Sequence, residues 1–318
     1  MNQLPYDLDK YAVTQRRVAT NGIELNVFEV GDGPLVILLH GFPECWAIWG
    51  PQLPMLLERG YKVLMPEQRG YGESDAPADV TAYDTMELAA DIAGLVDAYN
   101  EEQAIVIGHD WGCTVAWHTA WLFPEKVSAV AGLSVPWLGR GECNELETLN
   151  MLVGNSYFYI NDFQRDETVE NLNKDHRKSL TLIWRGEMEM FGQEDDGTSF
   201  LDRIELDSSA DCVSDDLLDY MISRYQQNGF EGPLNWYRNF QRTFERTEGK
   251  NDILKQPAMY LTGDKEWTNV YFTQTGYDIS TKFSDLRIHE VTPGGHWLSQ
   301  EVPEWVNGNI AKFLDTLS

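Results

Sequence analysis

Gly108-His109-Asp110-Trp111-Gly112 is the stretch whose residue types and spacing most directly suit chemistry. It lies between an apolar run that reads as a buried strand, Gln103 to Gly108, and a helix predicted to run to about Phe123. Glycines two before and two after a central residue allow a sharp turn without side-chain clashes. The turn lifts the central side chain at the end of a sheet, beside a helix N-terminus. Here that side chain is Asp110. A Ser attacking a saturated carbon would form an ether, which water cleaves poorly. A carboxylate attacking the same carbon forms an ester, whose carbonyl water can attack to regenerate the side chain. Asp110 therefore points to substitution at sp3 carbon, as in epoxides or alkyl halides, and away from esters and amides. The alternative on these five residues alone is an ordinary strand-to-helix turn with an N-cap Asp.

Ester hydrolysis calls for a base, and six histidines are available. His296 follows a predicted strand and two glycines, Gly294 and Gly295, which give a loop at the top edge of the sheet. His40 and His109 flank the expected site. His118 falls on the helix after the turn and is expected to be packed, while His176 and His289 read as ordinary residues of a helical segment and a strand. A His base must be held in one tautomer, which a carboxylate can do. The loop Gly263-Asp264-Lys265-Glu266-Trp267 offers two, Asp264 and Glu266.

These residues need a scaffold, and the chain alternates strand and helix signals in the way of a parallel sheet covered by helices. Pro34 to His40 is the clearest buried strand, followed by Tyr61 to Pro66, Gln103 to Gly108 and Lys126 to Leu133. Thr85 to Tyr99 has helical spacing of apolar residues, and Ile23 to Val30 is expected to begin a short antiparallel edge. After Leu133 no convincing strand is predicted until Ala258 to Thr262 and Leu286 to Val291, and Val302 to Leu317 reads as a closing amphipathic helix. The intervening segment, rich in Trp, Tyr, Asp and Glu, carries roughly 22 acids and 10 bases. It reads as helices and loops inserted into the sheet domain. Its stretch Glu187 to Phe200 cannot be placed by pattern.

Composition narrows the classes. The chain has 318 residues, 42% of them hydrophobic and 24% charged, which suits a soluble globular protein with one large domain and an insertion. No apolar run approaches bilayer length, so no membrane insertion is expected. With 24 Lys+Arg against 51 Asp+Glu the net charge is −27, a surface that repels phosphate backbones, so no nucleic acid partner is expected. Four scattered cysteines form neither a disulfide framework nor a zinc pattern. The polar start MNQLPYDLDK lacks the apolar core of a secretory signal, and the cytoplasm is the expected compartment.

Taken together, the motifs resemble the α/β-hydrolase fold, and specifically the soluble-type epoxide hydrolases. The resemblance rests on His40-Gly41-Phe42-Pro43-Glu44, Arg69-Gly70-Tyr71-Gly72-Glu73-Ser74, the Asp110 turn, and Gly294-Gly295-His296-Trp297, in that order. It implies an α/β fold with a mostly parallel eight-stranded sheet, helices on both faces and an inserted helical cap. Residues 1–133 and 246–318 would form the core domain and 134–245 the cap. Glu67 departs from the Asp that relatives usually carry before the Arg-Gly-Tyr-Gly run, and is expected to be structural.

The resemblance also implies roles. Asp110 is the nucleophile, His296 the general base and Glu266 the orienting acid, with Asp264 as runner-up. The backbone N–H groups of Phe42 and Trp111 form the oxyanion hole, and the Phe42–Pro43 bond is expected to be cis. Tyr159, in Tyr159 to Gln164, and Tyr237, in Gly232 to Asn239, match the two cap tyrosines that hold an epoxide oxygen. His40 and His109 match structural positions. Trp111, Trp236 and Trp297, adjacent to catalytic positions, are expected to make an apolar pocket. The implied reaction converts a small apolar epoxide and water to a vicinal diol, with no cofactor and no metal. Haloalkane or haloacid dehalogenation uses the same carboxylate logic, but Phe42 has no side-chain N–H to offer a halide. A non-catalytic ligand-binding protein on this fold is a further alternative. Oligomeric state, a homo-oligomer included, stays open.

Overall fold

The computed structural model describes residues 5–154, 156–187, 193–207 and 212–317, so part of the Glu187-to-Phe200 stretch lies outside the described residues. In chain order the strands are β1 (Thr14–Thr20), β2 (Ile23–Val30), β3 (Leu35–Leu39), β4 (Lys62–Glu67), β5 (Ala104–His109), β6 (Val127–Leu133), β7 (Gly186–Glu187), β8 (Glu205–Leu206), β9 (Leu254–Gly263) and β10 (Phe283–Thr292). Eight of them form one sheet in the order β1-β2-β4-β3-β5-β6-β9-β10. The β1–β2 and β2–β4 pairs are antiparallel and every other pair is parallel. β3 and β5 sit at the centre, and each of their residues is buried. That is why they read as continuous apolar runs rather than alternating ones. Burying each Leu, Ile or Val there contributes about 1.5–3 kcal/mol.

The sheet extends further than the sequence patterns suggest. The expected antiparallel edge at Ile23 is the second strand. The true edge, β1, has the sequence TQRRVAT and exposes its first four residues, so no apolar run marks it. It is held by register with β2 and by a two-residue turn, Asn21-Gly22, both at positive φ (39° and 78°). β9 begins at Leu254 rather than Ala258, because Lys255, Gln256 and Pro257 interrupt its apolar pattern.

Helices cover the sheet. Thr85–Ala98 is capped by Asp84, whose carboxylate accepts the N–H groups of Met86 and Glu87. Trp111–Leu122 packs on β5 and β6. Between β6 and β9 the described chain is mainly helical, from Glu145–Val153 to Phe240–Arg246. The sequence predicts no strand there, yet β7 and β8 pair as a two-residue antiparallel ladder, too short to leave an alternation pattern. Polar contacts tie this segment to the sheet domain. The indole N–H of Trp184 donates to Pro43 O at 3.1 Å, and that of Trp46 to Tyr220 Oη at 3.0 Å. Among the described residues no helix is long and apolar enough to cross a membrane.

Candidate active site

β5 ends at His109, and the chain turns at Asp110 with φ 52° and ψ −122°. That conformation costs a non-glycine residue of order ~1–3 kcal/mol, held by the surrounding fold. The two glycines are required by contact. A Cβ on Gly108 would lie 2.1 Å from Gly112 O, and one on Gly112 would lie 2.1 Å from Leu39 O. The same crowding applies to Gly41, where a Cβ would meet Asp110 Oδ1 at 2.4 Å. The turn thus brings the carboxylate against the loop after β3. There Phe42 N–H donates to Asp110 Oδ1 at 2.7 Å, and the Phe42–Pro43 bond is cis. Trp111 is the first residue of the following helix, so its N–H has no carbonyl partner within that helix.

His296 stands between two carboxylates. Its Nδ1 lies 2.6 Å from Glu266 Oε2 and its Nε2 lies 3.4 Å from Asp110 Oδ2. Glu266 is buried at the end of the loop that follows β9. Asp264, the other candidate acid, is exposed and accepts the Gly294 N–H at 3.1 Å instead. Burial pushes the His296 pKa down, but the charge of Glu266 and hydrogen bonds to Asp110 and Glu266 outweigh it and hold the imidazole well above 6.5. Burial pushes Asp110 up, yet the His296 hydrogen bond and charge, the His109 charge and the Phe42 N–H leave it below 3.8. Asp110 and His296 therefore form an ion pair.

A second buried pair lies behind the first. His109 Nδ1 lies 2.6 Å from Glu44 Oε1, and its Nε2 donates to the His296 carbonyl at 2.7 Å. A carbonyl only accepts, so Nε2 carries a proton. Burial lowers the His109 pKa, but the Glu44 charge prevails and raises it. Ser134, just past β6, donates to the same His296 carbonyl at 2.6 Å. From the sequence alone neither Glu44 nor Ser134 is assigned a role. The signal for Glu44 was its place in the His40-to-Glu44 motif, whereas nothing local marks Ser134.

The carboxylate faces a cavity of about 260 Å³. Its lining includes Asp110, His296, Glu266, Tyr159, Tyr237 and Trp297. Tyr159 opens the short helix Tyr159–Asp162, and Tyr237 closes the helix Glu231–Tyr237. The ring of Phe163, also in the lining, lies 5.1 Å from the Tyr159 ring and 4.9 Å from the Tyr237 ring, centroid to centroid. Burial, and then the nearby Asp110 charge, pushes both phenols far above 10. They stay protonated and can donate.

Of the three tryptophans expected to line the pocket, Trp297 does. Trp111 and Trp236 lie outside the lining, edge to face with each other at 5.6 Å and behind Tyr237, which Trp111 meets at 4.9 Å. Successive helix residues project about 100° apart. Trp236 is consequently turned away from the space that Tyr237 faces, while Trp111 opens the helix that follows the non-helical Asp110. The remaining apolar walls come from Phe42, Phe163, Ile183, Phe200, Ile204 and Trp267.

Known proteins share this fold. Residues 34–301 match the alpha/beta hydrolase fold family. Epoxide hydrolase A of Mycobacterium tuberculosis is 37% identical over 96% of this chain and 98% of its own. The epoxide hydrolase of Caballeronia sordidicola is 30% identical over 96% of this chain and 94% of its own. The crystal structure of epoxide hydrolase A from Mycobacterium thermoresistibile superposes with a TM-score of 0.87 at 36% identity, covering 95% of this chain and 98% of that one. An epoxide hydrolase from an endophytic Streptomyces gives 0.88 at 31% identity, covering 96% of both chains. The chain belongs to the alpha/beta hydrolase fold family, among its epoxide hydrolases.

Proposed function

We propose that this chain hydrolyses epoxides to vicinal diols through a covalent ester on Asp110. One observation carries the reading: a single cavity is lined by a carboxylate paired to a histidine and by two protonated tyrosines. In the first half-reaction Asp110 attacks a ring carbon. The carbon–oxygen bond of the epoxide breaks as the ester bond forms, and Tyr159 or Tyr237 gives the departing alkoxide a proton. Esterification removes the negative charge facing His296. The imidazole loses a stabiliser of its proton, releases it through solvent, and the tyrosinate regains one.

In the second half-reaction neutral His296, oriented by Glu266, takes a proton from water as that water adds to the ester carbonyl. The oxyanion then forms on an Asp110 oxygen, beside the N–H groups of Phe42 and Trp111. Collapse expels the diol alkoxide, which takes the proton from His296. Every group needed is a side chain or backbone amide of this chain, so we assign no cofactor. Dehalogenation would call for halide donors, and the cavity offers Phe42 and two phenols instead.

We assign residues 1–133 and 246–318 to the core domain and 134–245 to a helical cap, supported by the run of helices between β6 and β9. The apolar lining supports a small apolar epoxide as substrate, and the charge of −27 argues against nucleic acid partners. Single turnover in oxygen-18 water tests the mechanism. The expected result is label in Asp110 and unlabelled diol in the first turnover. Label appearing first in the diol would overturn the ester route.

A further inference from the structure

The catalytic imidazole must point at an ester carbonyl with a tolerance of well under an ångström. Glu266 fixes its ring, but the backbone that carries it follows Gly294 and Gly295, which have no side chains with which to anchor it. The helix Leu298–Glu301 supplies the anchor. Glu301 Oε2 accepts the Gly295 N–H at 2.6 Å, and Glu301 Oε1 accepts the Trp297 N–H at 2.9 Å. The two oxygens of one carboxylate therefore hold the residues immediately before and after His296. Both bonds are charge-assisted.

The other side of the same peptide is also held. The His296 carbonyl accepts from His109 Nε2 and Ser134 Oγ, and the Gly294 N–H is held by Asp264. Glycine at 295 leaves room for the carboxylate, since a Cβ there would come within 3.0 Å of Glu301 Oε1 and 3.3 Å of Oε2.

We infer that Glu301 is a positioning residue for His296, a two-point bracket that sets the imidazole for attack of water on the ester. This rests on the reading of His296 as the base of the second half-reaction. In that scheme the first half-reaction depends on Asp110 and the tyrosines, so loss of the bracket should lengthen the life of the ester and leave its formation nearly intact. A merely structural carboxylate would slow both alike or neither.

The test is rapid-quench mass spectrometry of the full chain reacting with styrene oxide. Glu301→Ala should slow ester hydrolysis by about 100-fold while ester formation changes by less than about threefold. Gly295→Ala, which crowds the carboxylate without removing it, should slow hydrolysis in the same sense. Glu301→Gln keeps one acceptor oxygen and should recover part of the loss. An unchanged ester lifetime in Glu301→Ala, or equal loss in both half-reactions, overturns the bracket. Absence of any ester in the unmodified protein and in His296→Gln overturns the parent reading instead, and is seen in different samples.

Discussion

Arg224, on the helix Asp215–Asn228, donates to both oxygens of the fully buried Glu67 at the end of β4, from Nε at 2.5 Å and from Nη2 at 2.8 Å. The same carboxylate accepts from Asn26 Nδ2 at 2.7 Å and from the Glu73 N–H at 2.8 Å. One side chain thus joins β2, β4, the following loop and a helix from the segment between β6 and β9. Removing one partner of a buried pair leaves the other charge unpaired, at a cost of about 3–5 kcal/mol. Arg224→Ala should lower the unfolding free energy by that amount in urea titration. Adding Glu67→Leu should return only part of it, because Asn26 and the Glu73 amide then lose their acceptor. An Arg224→Ala loss under about 1 kcal/mol would show that the pair is solvated.

Much of the central sheet and of the candidate site is legible in the sequence because it depends on short-range constraints. The apolar runs of β3 and β5 reflect burial on both faces, and the glycines around Asp110 reflect a turn that no Cβ can enter. Edges were harder. β1 pairs through its backbone and shows water its side chains, so its one local signal is the Asn21-Gly22 turn, which the sequence analysis does not use. The pocket walls were harder still. Phe163, Phe200 and Ile204 meet only after separate segments fold over the sheet, and adjacency in sequence to a proposed catalytic residue misleads for Trp111 and Trp236. Distance along the chain hides the Glu44–His109–His296 contacts in the same way.

The half-reactions should separate by mutation. His296→Gln removes the proposed base but leaves Asp110 in place, so the ester should accumulate in stoichiometric amount while turnover falls by about 100-fold or more. Asp110→Ala should yield neither ester nor diol. Intact-protein mass after mixing with styrene oxide reads both. Turnover by Asp110→Ala at the unmodified rate would remove the nucleophile from the scheme.

Choice of the orienting acid can be tested between neighbours. Glu266 touches His296 Nδ1 whereas Asp264 holds only the Gly294 amide. Glu266→Gln should therefore slow ester hydrolysis by about 100-fold or more, as expected when a base loses its correct tautomer. Asp264→Asn should slow it by less than about tenfold, since an amide oxygen can still accept the N–H. The reverse ranking in rapid-quench kinetics would exchange the two roles.

Tyrosines acting on the departing oxygen should affect the opposite half-reaction. Tyr159→Phe and Tyr237→Phe each remove one donor but keep the ring that packs on Phe163. Each should slow ester formation by about 10- to 100-fold, and the double variant should lose it almost entirely. The hydrolysis rate of preformed ester should stay within a few-fold. A slowed hydrolysis with intact ester formation would assign the phenols to the pocket wall.

His118 gives a stability prediction with a definite sign. It is buried against Trp121 and Trp137, at ring distances of 5.7 Å and 5.2 Å, and its Nδ1 lies 2.7 Å from the Thr114 carbonyl. Burial pushes its pKa down to about 4. The unfolded chain, with its His near 6.5, binds a proton that the folded chain refuses between those values. Stability linked to this residue is therefore fully present above pH 6.5 and is lost as pH falls toward 4. The span of about 2.5 units corresponds to roughly 3 kcal/mol. His118→Phe keeps an aromatic ring in the same surroundings and removes the titration. Urea midpoints measured from pH 7 to pH 4 should fall less steeply in His118→Phe than in the unmodified protein. Parallel pH profiles would mean that the folded protein protonates His118 as readily as the unfolded chain does.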